Sequence, residues 1–432
     1  MKNHNGERDT SFLGKIVVLN RRSFEYIKGL RIPQRIVAHQ KRSAGYNCKD
    51  DPAEARLSFI FGMCRLVSAT LLILFVASAL VFGGSRISYD NVYYMFRDIG
   101  YINSFTESRP ETLNYSRPFE NQDFTTFKNG LAVAGDGEIK LFTSTGRATM
   151  VHGSAFTNPK VCSSDSTVLV YDQGRRSFTV FNSFVSLYSE TLDYPISSAD
   201  MAPDGSFCIV TSSDRYSSVI RIYDSNFQLE SEIMKNDYVV SAEMSPDSRS
   251  VAILSLSAIE GESKTTLSVV ERGKSKERSK VTIDDVMPYT ASFVSSGRIA
   301  VICADSSYAY DLDGHRLGSY KYPSKLVNMS VSSGGALLLF ADKSVNAGYV
   351  LQVIGESGSV ISSFKLSGHV SDIERAGSYA FVLFDNEVRR IDVLFGTSSS
   401  AVFTEEDARL VAFSDGTVMA CTNTAAYYIS FN

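Results

Sequence analysis

Short apolar runs separated by small polar turns fill the chain from about residue 120 onward. Runs such as VAIL, IAVIC and LLLF are apolar without alternation, the pattern of strands covered on both faces. Each run belongs to a larger unit: a short strand, a turn of small residues, an apolar strand, and a third strand ending in an aromatic or aliphatic residue before another polar turn. The unit occurs eight times. Three of the copies read FTTFKNGLAVAGDGEIKLFTSTG, ADMAPDGSFCIVTSSDRYSSVIRIYDSN and SFVSSGRIAVICADSSYAYDLDG. The turn residues Gly130, Ser166, Gly205, Ser248, Gly297, Gly334, Gly377 and Gly416 mark the copies, at spacings of 36, 39, 43, 49, 37, 43 and 39. Four strands in forty-odd residues is the period of a propeller blade.

A single four-stranded sheet cannot cover both of its faces, so neighbouring blades must stack, and a ring leaves no open end. The expected fold is therefore all-β, a propeller of eight blades with seven as the alternative count, preceded by one transmembrane helix. The last copy stops at Asn432 after its third strand, so a strand drawn from residues 103–119 is expected to complete that blade and lock the ring.

The transmembrane expectation comes from the other end of the chain. Leu66 to Gly84 carry no charge, and 19 helical residues span roughly 28 Å, the thickness of a bilayer core. A lead of 65 residues argues for an uncleaved signal anchor rather than a cleaved signal peptide. Charge supports this and sets the orientation. Residues 1–56 hold 12 Lys and Arg against 6 Asp and Glu, net +6, whereas residues 85–432 are net −11 within a total of −4. Lys41, Arg42, Lys49, Arg56 and Arg65 precede the span and only Arg86 and Arg97 follow closely, so the N-terminus is expected in the cytoplasm and the propeller outside. The expected organisation is a basic cytoplasmic tail (1–64), the anchor helix (65–84), an aromatic stalk with the closing strand (85–120) and the propeller (121–432). Nucleic acid is not expected as a partner, because the basic tail is explained by the membrane.

The turns APDG (Ala202 to Gly205) and SPDS (Ser245 to Ser248) favour a tight bend through Pro and Asp. They resemble the strand-turn signature of the WD-like and TolB-type propellers of bacterial envelope proteins. The layout of tail, span, aromatic stalk and blades also resembles an uncharacterised family of bacterial membrane-anchored propellers, over roughly residues 60–432. That resemblance implies the fold and the tether and transfers no activity. The chain has no Trp, so it departs from the Trp-Asp repeats and from the Trp-docked propellers that bind a quinone cofactor. Gly368-His369 with Ile391-Asp392 echoes the repeat landmarks only as a structural turn.

Chemistry is sparse. His152, His315 and His369 fall in separate blades, and Cys162, Cys208, Cys303 and Cys421 fall in four, with no Cys-x-x-Cys, so no metal is expected, and Cys303 and Cys421, three blades apart, are not expected to form a disulfide. Asp311 and Asp313 before Gly314 read as a hairpin turn rather than a calcium loop. The net +3 run Glu271 to Lys280 lies in the longest spacing and is expected to project from the ring as a loop. There is no Gly-x-Ser-x-Gly elbow, P-loop or dinucleotide glycine fingerprint. No catalytic, cofactor-binding or metal residue is therefore named. The expected role is a non-catalytic scaffold or sensor for an envelope protein or glycan. The alternative is an envelope-polysaccharide hydrolase or lyase, with carboxylates from different blades meeting at the pore.

Overall fold

The computed structural model describes residues 61–74 and 111–431, apart from residues 260–261, 275 and 343–347. Residues 111–431 form eight antiparallel four-stranded sheets. Numbered along the chain, blades 1 to 7 cover residues 122–153, 159–191, 196–235, 238–284, 288–321, 326–367 and 370–402. Blade 8 takes 409–429 and is completed by the strand Thr112–Asn114.

That strand is the expected ring closure. It pairs Thr112 with Tyr427, Leu113 with Ala426 and Asn114 with Ala425, and flanking main-chain bonds tie Tyr115 to Thr424 and Phe119 to Asn423, each at 3.0 Å. Leu113, Tyr115 and Phe119 then pack with Leu131 and Phe142 of blade 1, so one short segment joins the two ends of the ring.

The second strand of each blade is the most apolar because both its faces are covered. Gly130–Gly135, Val168–Asp172 and Val418–Cys421 are buried at every position. The outermost strands alternate instead, as in Ser398–Val402, because only one face meets a neighbour. One apolar cluster fills each of the eight gaps between neighbouring blades, so the core is a ring of equal parts rather than a single centre. All eight marker residues lie between the first and second strands of their blades or at the first residue of the second. In blade 3 the turn needs a left-handed residue, supplied by Gly205 at φ +87°, and in blade 4 Ser248 takes the same conformation at φ +61°.

The run Glu271 to Lys280 differs from expectation. It is no projecting loop: a short turn leads at Glu277 into the outermost strand Glu277–Asp284. The length of this blade comes from two ten-residue strands, Ser250–Ile259 and Glu262–Glu271. Three of the five basic residues of the run are in ion pairs along the blade edge. Arg272 meets Asp204 at 2.8 Å and Glu230 at 3.0 Å, Arg278 meets Asp313 at 2.9 Å, and Lys274 pairs with Glu271.

Residues 61–74 form a helix whose apolar side chains are exposed, Leu66, Leu71, Leu72 and Ile73 among them. It takes in residues 66–74 of the expected span; residues 75–84, the tail to residue 60 and the aromatic stalk up to residue 110 lie outside the described residues. Among the described residues no helix is long and apolar enough to cross a membrane.

Candidate functional site

Two features carry polar or exposed chemistry: a belt of side chains on the inner strands, and one rim of the ring.

The first strands of successive blades touch around the central axis. Alternate side chains on such a strand point toward the next blade, and in several blades these are carboxylates or hydroxyls that accept its main-chain N–H groups. Val161 donates to Asp123 at 3.1 Å, Met244 to Asp200 at 2.7 Å, Ala291 to Ser241 at 3.0 Å, Arg375 to Ser330 at 3.2 Å and Leu410 to Asp372 at 2.9 Å. Asp372 also accepts from Asn328 Nδ2 at 3.3 Å, so one carboxylate clasps blades 6, 7 and 8. Ser292 donates to Glu243 at 2.6 Å, and Ser330 to Glu374 at 3.3 Å.

Burial raises the proton affinity of these acids. Glu374 is pushed up to about 7, by burial first and then by the neighbouring Asp372 carboxylate. Burial raises Asp200 and Glu243 as well, and for Glu243 the neighbouring Asp200 charge adds to it. Asp123 is raised less freely, because Lys160, the Val161 N–H and Arg409 favour its charged form. Asp200 and Glu243, from neighbouring blades, lie near enough for one carboxylate to raise the other, whereas Asp372 and Glu374 share one strand. Each, however, is engaged in joining blades. Among the described residues no group of three His, Cys, Asp or Glu side chains is placed to hold a metal ion.

The residues discussed from the sequence sit elsewhere. Asp311 forms the hairpin turn, accepting from the Asp313 and His315 N–H groups at 2.9 and 2.8 Å, and its second oxygen meets His315 Nδ1 at 2.9 Å. His369 Nδ1 lies 2.9 Å from Asp385, and Asp392 caps its own turn through the Leu394 and Phe395 N–H groups. Cys208, Cys303 and Cys421 are buried thiols, each raised by burial. The belt acids were missed because they read as ordinary strand residues. Their signal was the matched placing of Asp200, Glu243 and Glu374 in SADMA, SAEMS and DIERA.

The second feature is the rim where the chain passes from one blade to the next, here the linker face. Strand alternation puts the turns between second and third strands on this face and the marker turns on the other. Three consecutive links expose large apolar side chains: Tyr238 (59% exposed), Met287 (55%) and Tyr289 (46%), and Val327 (46%). Beside them, at blade 3, is a cleft of about 300 Å³ lined by Tyr194, Asp214, Tyr216, Val219 and Met234 among others.

Comparison with solved structures finds propellers. BamB from Moraxella catarrhalis is 11% identical at a TM-score of 0.52, covering 75% of this chain and 99% of that one. Hsv2 from Kluyvelomyces marxianus is 14% identical (TM-score 0.44; 61% and 89% covered), and a chain of the Mitotic Checkpoint Complex 11% identical (0.46; 75% and 92%). At these identities the likeness is one of fold. No curated protein matches the sequence. The family of unknown function DUF5711 matches residues 108–422, from the closing strand into the last blade, and the chain belongs to that family.

Proposed function

We propose that this protein is a membrane-tethered propeller that holds a protein partner outside the cytoplasmic membrane, without chemistry of its own. The observation that carries the reading is the linker face. Tyr238, Met287, Tyr289 and Val327 are exposed on three adjoining links, beside a cleft. Apolar side chains gathered on one face in this way are a feature of interaction surfaces. The tether rests on the uncharged stretch Leu66 to Gly84, the basic flank before it, and the exposed apolar side chains of the helix over 61–74. The choice of scaffold over hydrolase rests on the belt, where Asp123, Asp200 and Asp372 accept main-chain N–H groups of the next blade and Glu243 and Glu374 accept serine hydroxyls of a neighbouring one.

Protease treatment of intact cells carrying a tag at either terminus, followed by crosslinking and isolation of the protein, tests both parts. The expected result is loss of the C-terminal tag, protection of the N-terminal one, and recovery of one specific protein. A C-terminal tag that survives until lysis refutes the topology. Cleavage of a cell-envelope polysaccharide by the purified protein refutes the absence of chemistry.

A further inference from the structure

On the linker face exposed apolar side chains lie close in sequence to acidic ones. Asp193, Asp237, Asp284 and Asp285 lie on the same links as Tyr194, Tyr238 and Met287, and among the described residues none of the four is in an ion pair. Of the positive groups nearby two are engaged by carboxylates, whereas Arg215, Lys264 and Lys325 are in no ion pair among the described residues. Lys235 pairs with Glu277, Lys321 meets Asp305 at 3.6 Å, and Arg215 sits 5.6 Å from the Tyr216 ring. Lys264 lies opposite Asp284 in the strand register. The cleft at the blade 3 end adds Asp214 beside Tyr194, so the apolar arc is set among five carboxylates and three cations that are in no ion pair among the described residues, and is acidic on balance.

We propose that the linker face of blades 3 to 6 docks an extended polypeptide segment carrying aliphatic or aromatic residues flanked by lysine or arginine. This rests on the protein-holding reading above and names the surface and the chemistry of its partner. Apolar side chains of the segment cover Tyr238, Met287, Tyr289 and Val327, and one enters the cleft between Tyr194, Tyr216 and Met234. Its cations lie against Asp193, Asp237, Asp284 and Asp285, where complementary charge sets register and speeds encounter. Anionic lipid headgroups and acidic wall polymers are repelled by the same carboxylates, which favours a basic polypeptide over either.

The test uses the full-length chain in its native host, with a photocrosslinking amino acid substituted for Met287 or, on the opposite face, for Phe395, which is 81% exposed. The expected result is a protein adduct from position 287 alone, whose sequenced crosslinked peptide has an apolar residue beside Lys or Arg. Combining D237N, D284N and D285N should lower the adduct yield roughly fivefold. Purified full-length protein should bind a labelled peptide alternating lysine with leucine and phenylalanine roughly tenfold tighter than its glutamate twin, with the gap narrowing in high salt. An adduct from position 395 only leaves the protein-holding reading intact and overturns this surface. An adduct with a second copy of the chain, with lipid, or with an acidic peptide overturns the assigned occupant. No adduct from either position overturns both.

Discussion

Glu374 turns the inner belt into a measurable pH dependence. Its side chain faces blade 6, accepts one hydrogen bond from Ser330, and lies beside Asp372 without a basic partner of its own. Its carboxyl moves from an ordinary 4.5 to about 7 in the folded ring. At about 1.4 kcal/mol for each tenfold change in proton affinity, the ionised form is disfavoured by up to about 3 kcal/mol. The unfolded chain releases this proton near the ordinary value, whereas the folded ring holds it to about 7. Between those limits the folded state binds more protons than the unfolded one, so this group's contribution falls as pH rises through the window. Glu374→Gln keeps the size and the acceptor for Ser330 and has no proton to lose. Urea unfolding of wild type and E374Q, from pH 4.5 to 8.5 in half-unit steps, isolates the effect, since the Asp200 and Glu243 pair is present in both. The two proteins should be nearly equal at the acid end. Above pH 8, E374Q should be the more stable by about 2 to 3 kcal/mol. A constant difference across the range, or an advantage for E374Q that shrinks as pH rises, would refute the reasoning.

Other expectations follow from single contacts. Asp372→Ala strands the Leu410 N–H and Asn328 and should cost about 3 kcal/mol in denaturant unfolding, with Asp372→Asn costing visibly less; equal losses would remove the clasp role. Leu113→Ala, in the closing strand, should cost about 2 to 4 kcal/mol, and hydrogen exchange should quicken first in residues 425–427, the partners of that strand; exchange that quickens uniformly would contradict it. Gly335→Ala would set a Cβ 2.0 Å from the Ile354 carbonyl oxygen at φ +136°, so a loss of about 3 kcal/mol or more is expected by thermal melting, whereas Gly297→Ala, with open space around it, should stay within about 0.5 kcal/mol.

The architecture was legible because it repeats. The marker residues from Gly130 to Gly416 recur once per blade, the runs LLLF and IAVIC lie in largely buried second strands, and the missing fourth strand of blade 8 pointed to residues 103–119. The belt was not legible because Asp200 and Glu243 look like solvent-facing residues of alternating strands. Only the stacking of one blade on the next turns that face toward an N–H group. The basic run from Glu271 misled for a related reason: its charge suggested a solvated loop, while its partners Asp204, Glu230 and Asp313 come from elsewhere in the chain. The linker face had no periodic signal, since Tyr238, Met287 and Val327 belong to links of differing length.

The closing strand also defines a load path. Tension arriving along the chain from its N-terminal side reaches Thr112–Asn114 before any other strand of the ring. What resists it there is a handful of main-chain bonds to residues 423–428 and the anchoring of Leu113, Tyr115 and Phe119. Release of that segment would uncover the edge of blade 8 and the apolar wall of blade 1 while the other seven sheets keep all four strands. Under such a pull the ring would part at one seam, where Thr112–Asn114 joins its two ends.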